Sequence, residues 1–410
     1  MSDTAQAVPV LTVETVALDE LGPLVPLLDR SDPLLFIRRG QGIAGIGVAL
    51  RLEFTGEDRM RDAAVAWREI VAAAHVTDDV DLPGTGLVAL GSFAFSRGSA
   101  ATSVLIVPSV IVGRRDGRSW ITRINTDAEL PSPTPFGAEY RISLLPGAMT
   151  ADAFTSAVDT AIAAIADGSV RKVVIARDLV GHLPEGADVR RVLNELALGY
   201  PDCFTYAVNG LVGSSPETLV RVDHGEVSAR VLAGSIGRGT DADTDHEAAV
   251  SLATSTKDLD EHAFALSSVL RVLEPHSNTL ITSEQPFTLK LPNLWHLASD
   301  VAGRLSDGSN SLDLIAALHP TAAVAGAPTG AAMDLIEQLE PFDRGRYAGP
   351  VGWVDARGDG EWAVALRCAH VSSTGRVTAY AGAGIVQGSE PLRELAETKM
   401  KFRPVVEAFG

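Results

Sequence analysis

Glu394, Glu397 and Lys401 stand at i, i+3 and i+7 in the last helical stretch of the chain, just after a glycine-flanked strand, Ala381-Gly382-Ala383-Gly384-Ile385-Val386. Ser389 is the expected N-cap and Pro391 falls in the first turn, where a missing N–H is tolerated, so the three polar side chains share one helix face. Two carboxylates and an ammonium so placed could hold a magnesium ion and an anionic substrate. The same spacing also describes an exposed helix with an ordinary pair of Glu397 and Lys401, which is common and weak.

Four upstream segments bear on the choice. Lys172 lies near the start of an apolar strand, Arg171-Lys172-Val173-Val174-Ile175-Ala176-Arg177, where alternation puts it on one face with Val174 and Ala176. A lysine among small apolar neighbours can lose its proton near neutral pH if it is desolvated. Ser214-Ser215-Pro216-Glu217 places a carboxylate at a strand-edge turn, and the stretch from Ser255 to His262 begins a helix with Asp258 and Glu261 on one face. Trp362-Ala363-Val364-Ala365-Leu366-Arg367 reads as a strand whose terminal arginine could fork a carboxylate. Each segment taken alone also has an ordinary structural reading.

The elements that must position these residues belong to an α/β chain rich in antiparallel strands. Apolar runs at 34–37, 46–54, 87–95, 103–112 and 119–124 read as strands separated by Gly, Asp and Ser turns, with one helix at 57–75. After the turn Leu145-Pro146-Gly147, residues 151–166 read as a helix and 170–179 as a strand. Hydrophobic residues make up 46% and charged residues 21% of the 410, ordinary globular material for one large domain or two. With 34 basic against 52 acidic residues the net charge is −18, which argues against nucleic acid or an anionic membrane as partner. Two distant cysteines, Cys203 and Cys368, exclude a disulfide framework, Met1-Ser2-Asp3-Thr4 opens no signal segment, and no apolar run has the length of a membrane span; a cytoplasmic chain is expected.

Two motifs are set aside. Gly40-Gln41-Gly42-Ile43-Ala44-Gly45 matches a dinucleotide fingerprint, but the residues after it read as another strand where that fingerprint needs a helix, so a hairpin turn is expected. His246-Glu247 opens a zincin-like pattern, yet Val250 stands where the second histidine belongs.

From Ala151 to Gly410 the chain resembles the chorismate-utilising enzymes, and within them the isochorismate synthases. The resemblance rests on ordered motifs: Lys172 to Arg177, Ser215 to Glu217, Leu232-Ala233-Gly234-Ser235, Ser255 to His262, Trp295-His296-Leu297, Leu318-His319-Pro320-Thr321, the run from Arg344 to Trp353, Leu366-Arg367, Gly382-Ala383-Gly384, and Pro391 to Lys401. Residues 1–145 match less well and are taken as the variable part of the same fold, 151–410 as the chorismate-binding part. The resemblance implies one large α/β domain, antiparallel sheets packed face to face with helices outside and the active site in a cleft.

It also implies a reaction: water adds at one ring carbon of chorismate while hydroxide leaves from another. By motif, Lys172 is the base that activates water and Glu217 the acid that protonates the departing hydroxyl, so the first must be neutral and the second protonated at working pH. Glu261 and Glu397 match the magnesium ligands, with Glu394 near enough for a water-mediated contact. Arg367 and Tyr347 match the pair that holds the enolpyruvyl carboxylate, with Lys401 and the backbone at Gly382 and Gly384 completing the anion pocket. Gly234 and Ser235 match a loop beside the leaving hydroxyl, and His296 a ring-side residue that could equally be a buried structural histidine. A lysine at the place of Lys172 favours water over nitrogen as nucleophile. Salicylate synthases share that lysine but eliminate pyruvate, and typically carry threonine where this chain has Ala323, in a segment lacking His319-Pro320-Thr321. A catalytically dead chorismate-binding homologue, the alternative from another class, would have lost the acid, the base or the metal carboxylates. Leu395 departs from a frequent tryptophan and lies on another helix face. Isochorismate serves menaquinone and siderophore biosynthesis alike; no interface stripe stands out, so a monomer is expected.

Overall fold

The strand Leu34–Arg38 shows why two layers form. Its alternate side chains go to opposite faces: Phe36 joins an apolar cluster with Leu90, Phe204, Tyr206, Trp353 and Trp362, while Leu35 and Ile37 join a second cluster with Leu193, Phe402 and Val405. A strand apolar on both faces has to be covered twice, here by another sheet and by helices. The computed structural model describes residues 8–291 and 294–410; the N-terminal Met1 to Thr4, read above for a signal segment, lies outside the described residues.

Among the described residues the strands form a thirteen-stranded and a ten-stranded sheet. Pairing is antiparallel except where Thr12–Leu18 runs parallel to His75–Asp78. Both sheets combine strands from both halves of the chain: Leu34–Arg38 pairs with Phe204–Val208 in the larger, and Val88–Ser92 with Pro350–Asp355 in the smaller. The first cluster lies between the sheets, and the helices Arg190–Gly199 and Pro391–Phe409 cover the outer face of the larger one through the second. The expected α/β architecture with face-to-face antiparallel sheets is what the chain adopts. No helix among the described residues is long and apolar enough to cross a membrane.

Several expected strands are cut. The run 46–54 divides into Gln41–Ile46 in the larger sheet and Leu50–Phe54 in the smaller, and 103–112 into Ser103–Val107 and Val110–Arg115, again in different sheets. Hydrophobic alternation reports burial, and burial persists where a chain crosses from one sheet to its neighbour. Likewise Gly360–Val364 ends before Arg367, and the chain re-enters the larger sheet at Cys368–Val371. The motif at 40–45 is a hairpin as expected: Leu34–Arg38 pairs with Gln41–Ile46 through Arg39 and Gly40, both at positive φ. The last helix begins at Pro391, but Glu390 occupies the cap. Ser389 instead accepts a hydrogen bond from the Val386 N–H inside the preceding turn.

Candidate active site

The site forms where the chain leaves one sheet for the other. Glu217 lies in the two-residue link between Leu211–Ser215 of the larger sheet and Thr218–Asp223 of the smaller, and Arg367 in the link between Gly360–Val364 and Cys368–Val371. Gly234 and Ser235 sit at a bulge in Glu226–Gly237, where the register against Leu294–Arg304 shifts and Gly234 takes φ +80. Links and bulges release side chains from the ladder and aim them into the space between layers. One cavity there is lined by Glu217, Gly234, Ser235, Glu261, His296, Ala323, Tyr347, Arg367, Gly382, Gly384, Glu397 and Lys401. Of the residues to which the resemblance gives a catalytic, substrate-binding or metal-holding role, only Lys172 and Glu394 fall outside this lining.

Lys172 is fully buried and its Nζ lies 3.0 Å from Glu261 Oε1. The approach is not aligned as a hydrogen bond, so the ammonium has a charge partner but no well-placed acceptor. Burial raises the Glu261 carboxyl, yet the charge of Lys172, aided by Lys401 and Lys257, outweighs it and holds Glu261 below its ordinary pKa. Glycine at 384 makes the contact possible: a Cβ there would stand 2.7 Å from Glu261 Oε1 and 3.2 Å from Lys172 Cε. Gly384→Ala is therefore expected to displace the Glu261 carboxylate and lower kcat/KM by about 10²-fold, the order associated with misplacing a reacting group by ~1 Å. Steady-state kinetics beside a melting curve checks this, and full activity in a folded variant would mean that Glu261 tolerates displacement.

In the same cavity lining Glu217 is held protonated. Burial pushes its carboxyl up to about 8, against the opposing charges of Lys172, Lys401 and Arg367. His296 is driven well below its usual pKa by burial, then by the charges of Arg367 and Lys401. As a neutral ring it donates from Nδ1 to the Gly234 carbonyl at 3.3 Å and accepts at Nε2 from Arg367 at 3.4 Å, a hydrogen-bond pattern that assigns the tautomer. Tyr347 lies against Gly382, where a Cβ would come 3.2 Å from the phenol oxygen.

The last helix supplies the remaining charges. Glu397 Oε1 accepts from Ser235 Oγ at 3.1 Å and pairs with Lys401 at 2.5 Å, and Lys401 also donates to the Gly382 carbonyl at 3.0 Å. Glu394 is buried beside the cavity lining and pairs with Lys257 at 3.2 Å; burial, then the charge of Glu397, raises its pKa. Glu261 and Glu397 thus each balance one ammonium, and their hard oxygens suit a magnesium ion, which keeps water and takes ligands from substrate. Among the described residues no three His, Cys, Asp or Glu side chains are grouped to hold a metal. Cys203 and Cys368 are both free and buried.

Some of the machinery is not marked by the sequence motifs. Tyr380 lines the cavity and stacks on Tyr347 with centroids 5.2 Å apart; strand alternation with Gly382 and Gly384 could have found it. Lys257 lay within a quoted motif without a role. The fully buried pair of Glu340 and Arg344 holds the walls: Arg344 donates to the Val324 carbonyl at 3.0 Å and to the Val174 carbonyl at 2.7 Å, while Glu340 accepts from the Ala176 N–H at 2.7 Å. Only the fold reveals that these backbones converge.

A cavity between two sheets lined by a protonated glutamate, an arginine and a carboxylate paired to a buried lysine has the make-up of a small-molecule enzyme site, and a family model described as "Chorismate binding enzyme" matches residues 132–410. The chain belongs to the chorismate-binding enzyme family. It is 41% identical over 269 residues to the isochorismate synthase DhbC of Bacillus subtilis, covering 63% of this chain and 67% of that protein. Against the isochorismate synthase EntC of Escherichia coli it is 38% identical over 262 residues, 63% and 67% of the two chains. The crystal structure of DhbC from Bacillus anthracis, 31% identical, superposes with a TM-score of 0.79 over 94% of this chain and 98% of that one.

Proposed function

We propose that this protein is an isochorismate synthase, an isomerase that adds water at C2 of chorismate as the C4 hydroxyl departs. The observation that carries the reading is one cavity lined both by Glu217, buried and protonated, and by Glu261, whose carboxylate has the fully buried Lys172 as charge partner at 3.0 Å. To act as the base, Lys172 must first release the proton by which it pairs with Glu261, and its free amine then takes a proton from the attacking water. Glu217 gives its proton to the leaving oxygen, which departs as water, so one water enters and one leaves. Each transfer contributes about 10² to 10⁴ in rate. Arg367 and Tyr347 bind the enolpyruvyl carboxylate, with Lys401 and the Gly382 backbone beside them, and His296 keeps Arg367 in place. Gly234 and Ser235 flank the leaving hydroxyl, and Ala323 forms part of the wall around the ring.

A magnesium ion would be held by Glu261 and Glu397, where it would anchor the ring carboxylate and neutralise the charge that here pairs with Lys172. The test is to incubate the purified protein with chorismate and magnesium, with and without a chelator, and separate the products. Isochorismate without stoichiometric pyruvate, formed only with magnesium, is the expected result. Salicylate with pyruvate would move the protein to the pyruvate-releasing branch, and no turnover would leave a chorismate-binding protein.

A further inference from the structure

Arg367 is held in an unusual backbone state. Its φ is +47, in the left-handed region that side chains other than glycine rarely occupy, and it lies in the link that carries the chain from one sheet to the other. Such a conformation persists only where surrounding contacts impose it. Just before it the Leu366 N–H donates to the Val364 carbonyl at 2.8 Å, closing a three-residue turn. The Ser214 N–H donates to the Arg367 carbonyl at 3.1 Å. One side-chain hydroxyl supports the turn from beneath: Tyr206, fully buried in Phe204–Val208, donates to the Leu366 carbonyl at 2.9 Å. Tyr206 reaches that carbonyl because its cross-strand partner is Gly213, where a Cβ would come 2.5 Å from the phenol oxygen.

We propose that Tyr206 is a positioning residue for substrate binding: its hydroxyl holds the Leu366 carbonyl and so keeps Arg367 in the left-handed turn that aims the guanidinium into the cavity. The assignment rests on the function proposed above, in which Arg367 binds a substrate carboxylate. Tyr206→Phe retains the buried ring and removes the hydroxyl, with its hydrogen bond to the Leu366 carbonyl and its contact with the Cys368 thiol. It should raise KM for chorismate about 3- to 10-fold, with kcat nearly unchanged. In an Arg367→Ala background the same change should alter kcat/KM by less than about twofold, because a residue that acts through another has nothing left to position. Equal losses in both backgrounds would overturn the proposal and leave Tyr206 an ordinary core residue. Should the wild-type protein not turn over chorismate, the functional reading fails by itself, and a crystal structure of Tyr206→Phe decides the geometry. Arg367 leaving the left-handed region supports the proposal; Arg367 unmoved overturns it.

Discussion

Replacing Lys172 with alanine is expected to lower chorismate turnover by about 10² to 10⁴-fold, the contribution of a positioned base, while the fold survives. The side chain is fully buried, and Glu261 is its charge partner at 3.0 Å. Its removal leaves a buried carboxylate without its nearest cation. Such a group relieves the cost by taking up a proton, so the Glu261 carboxyl in the variant should rise from its present lowered value. The sign of the pH dependence follows. With the folded-state pKa raised above the unfolded one, the folded variant binds the extra proton, and its stability falls as pH rises. The melting temperature of Lys172→Ala should therefore trail the wild type more at neutral than at acidic pH. Product formation and thermal melts at several pH values check both parts, and full activity in a folded variant would remove Lys172 from the role of base.

Glu217→Gln should be as damaging to turnover, by about 10² to 10⁴-fold, because an amide keeps the shape and cannot deliver the proton. Burial raises the Glu217 carboxyl to about 8, so it is protonated at neutral pH and ionises as pH rises through that value. Wild-type kcat/KM is accordingly expected to fall on the alkaline side of about 8, and the residual activity of Glu217→Gln should lack that limb. Stability carries the same sign: the folded pKa is raised from 4.5 to about 8, so the contribution present below 4.5 is lost as pH climbs between the two values. Glutamine does not titrate, and the variant should melt at or above the wild-type temperature at alkaline pH. An unchanged alkaline limb in the variant would assign that ionisation to another group.

The sequence by itself determined the sheet-rich α/β class, the bounds of the helices at 59–73 and 151–166 to within two residues, and the shared helix face of Glu394, Glu397 and Lys401. These are short-range matters: side-chain period, caps and turn residues act within a few positions of one another. The ordered motifs also marked the residues that come to line the cavity, because their chemical types survive in the order of the chain. What the tertiary structure alone decided is where the chain changes sheets. Apolar runs at 46–54 and 103–112 read as unbroken strands, since both sheets are buried and burial carries no label for which sheet a residue joins. The same ambiguity hid the left-handed turn at Arg367, where the run from Trp362 reads as one strand until the link after Val364 is seen. Long-range partners were hidden for a related reason. The contact of Lys172 with Glu261, the room left for it by Gly384, and the support of Leu366 by Tyr206 join residues far apart in the chain, and only the strand order of the larger sheet and the packing of the helix Thr256–Leu273 set the distances between them.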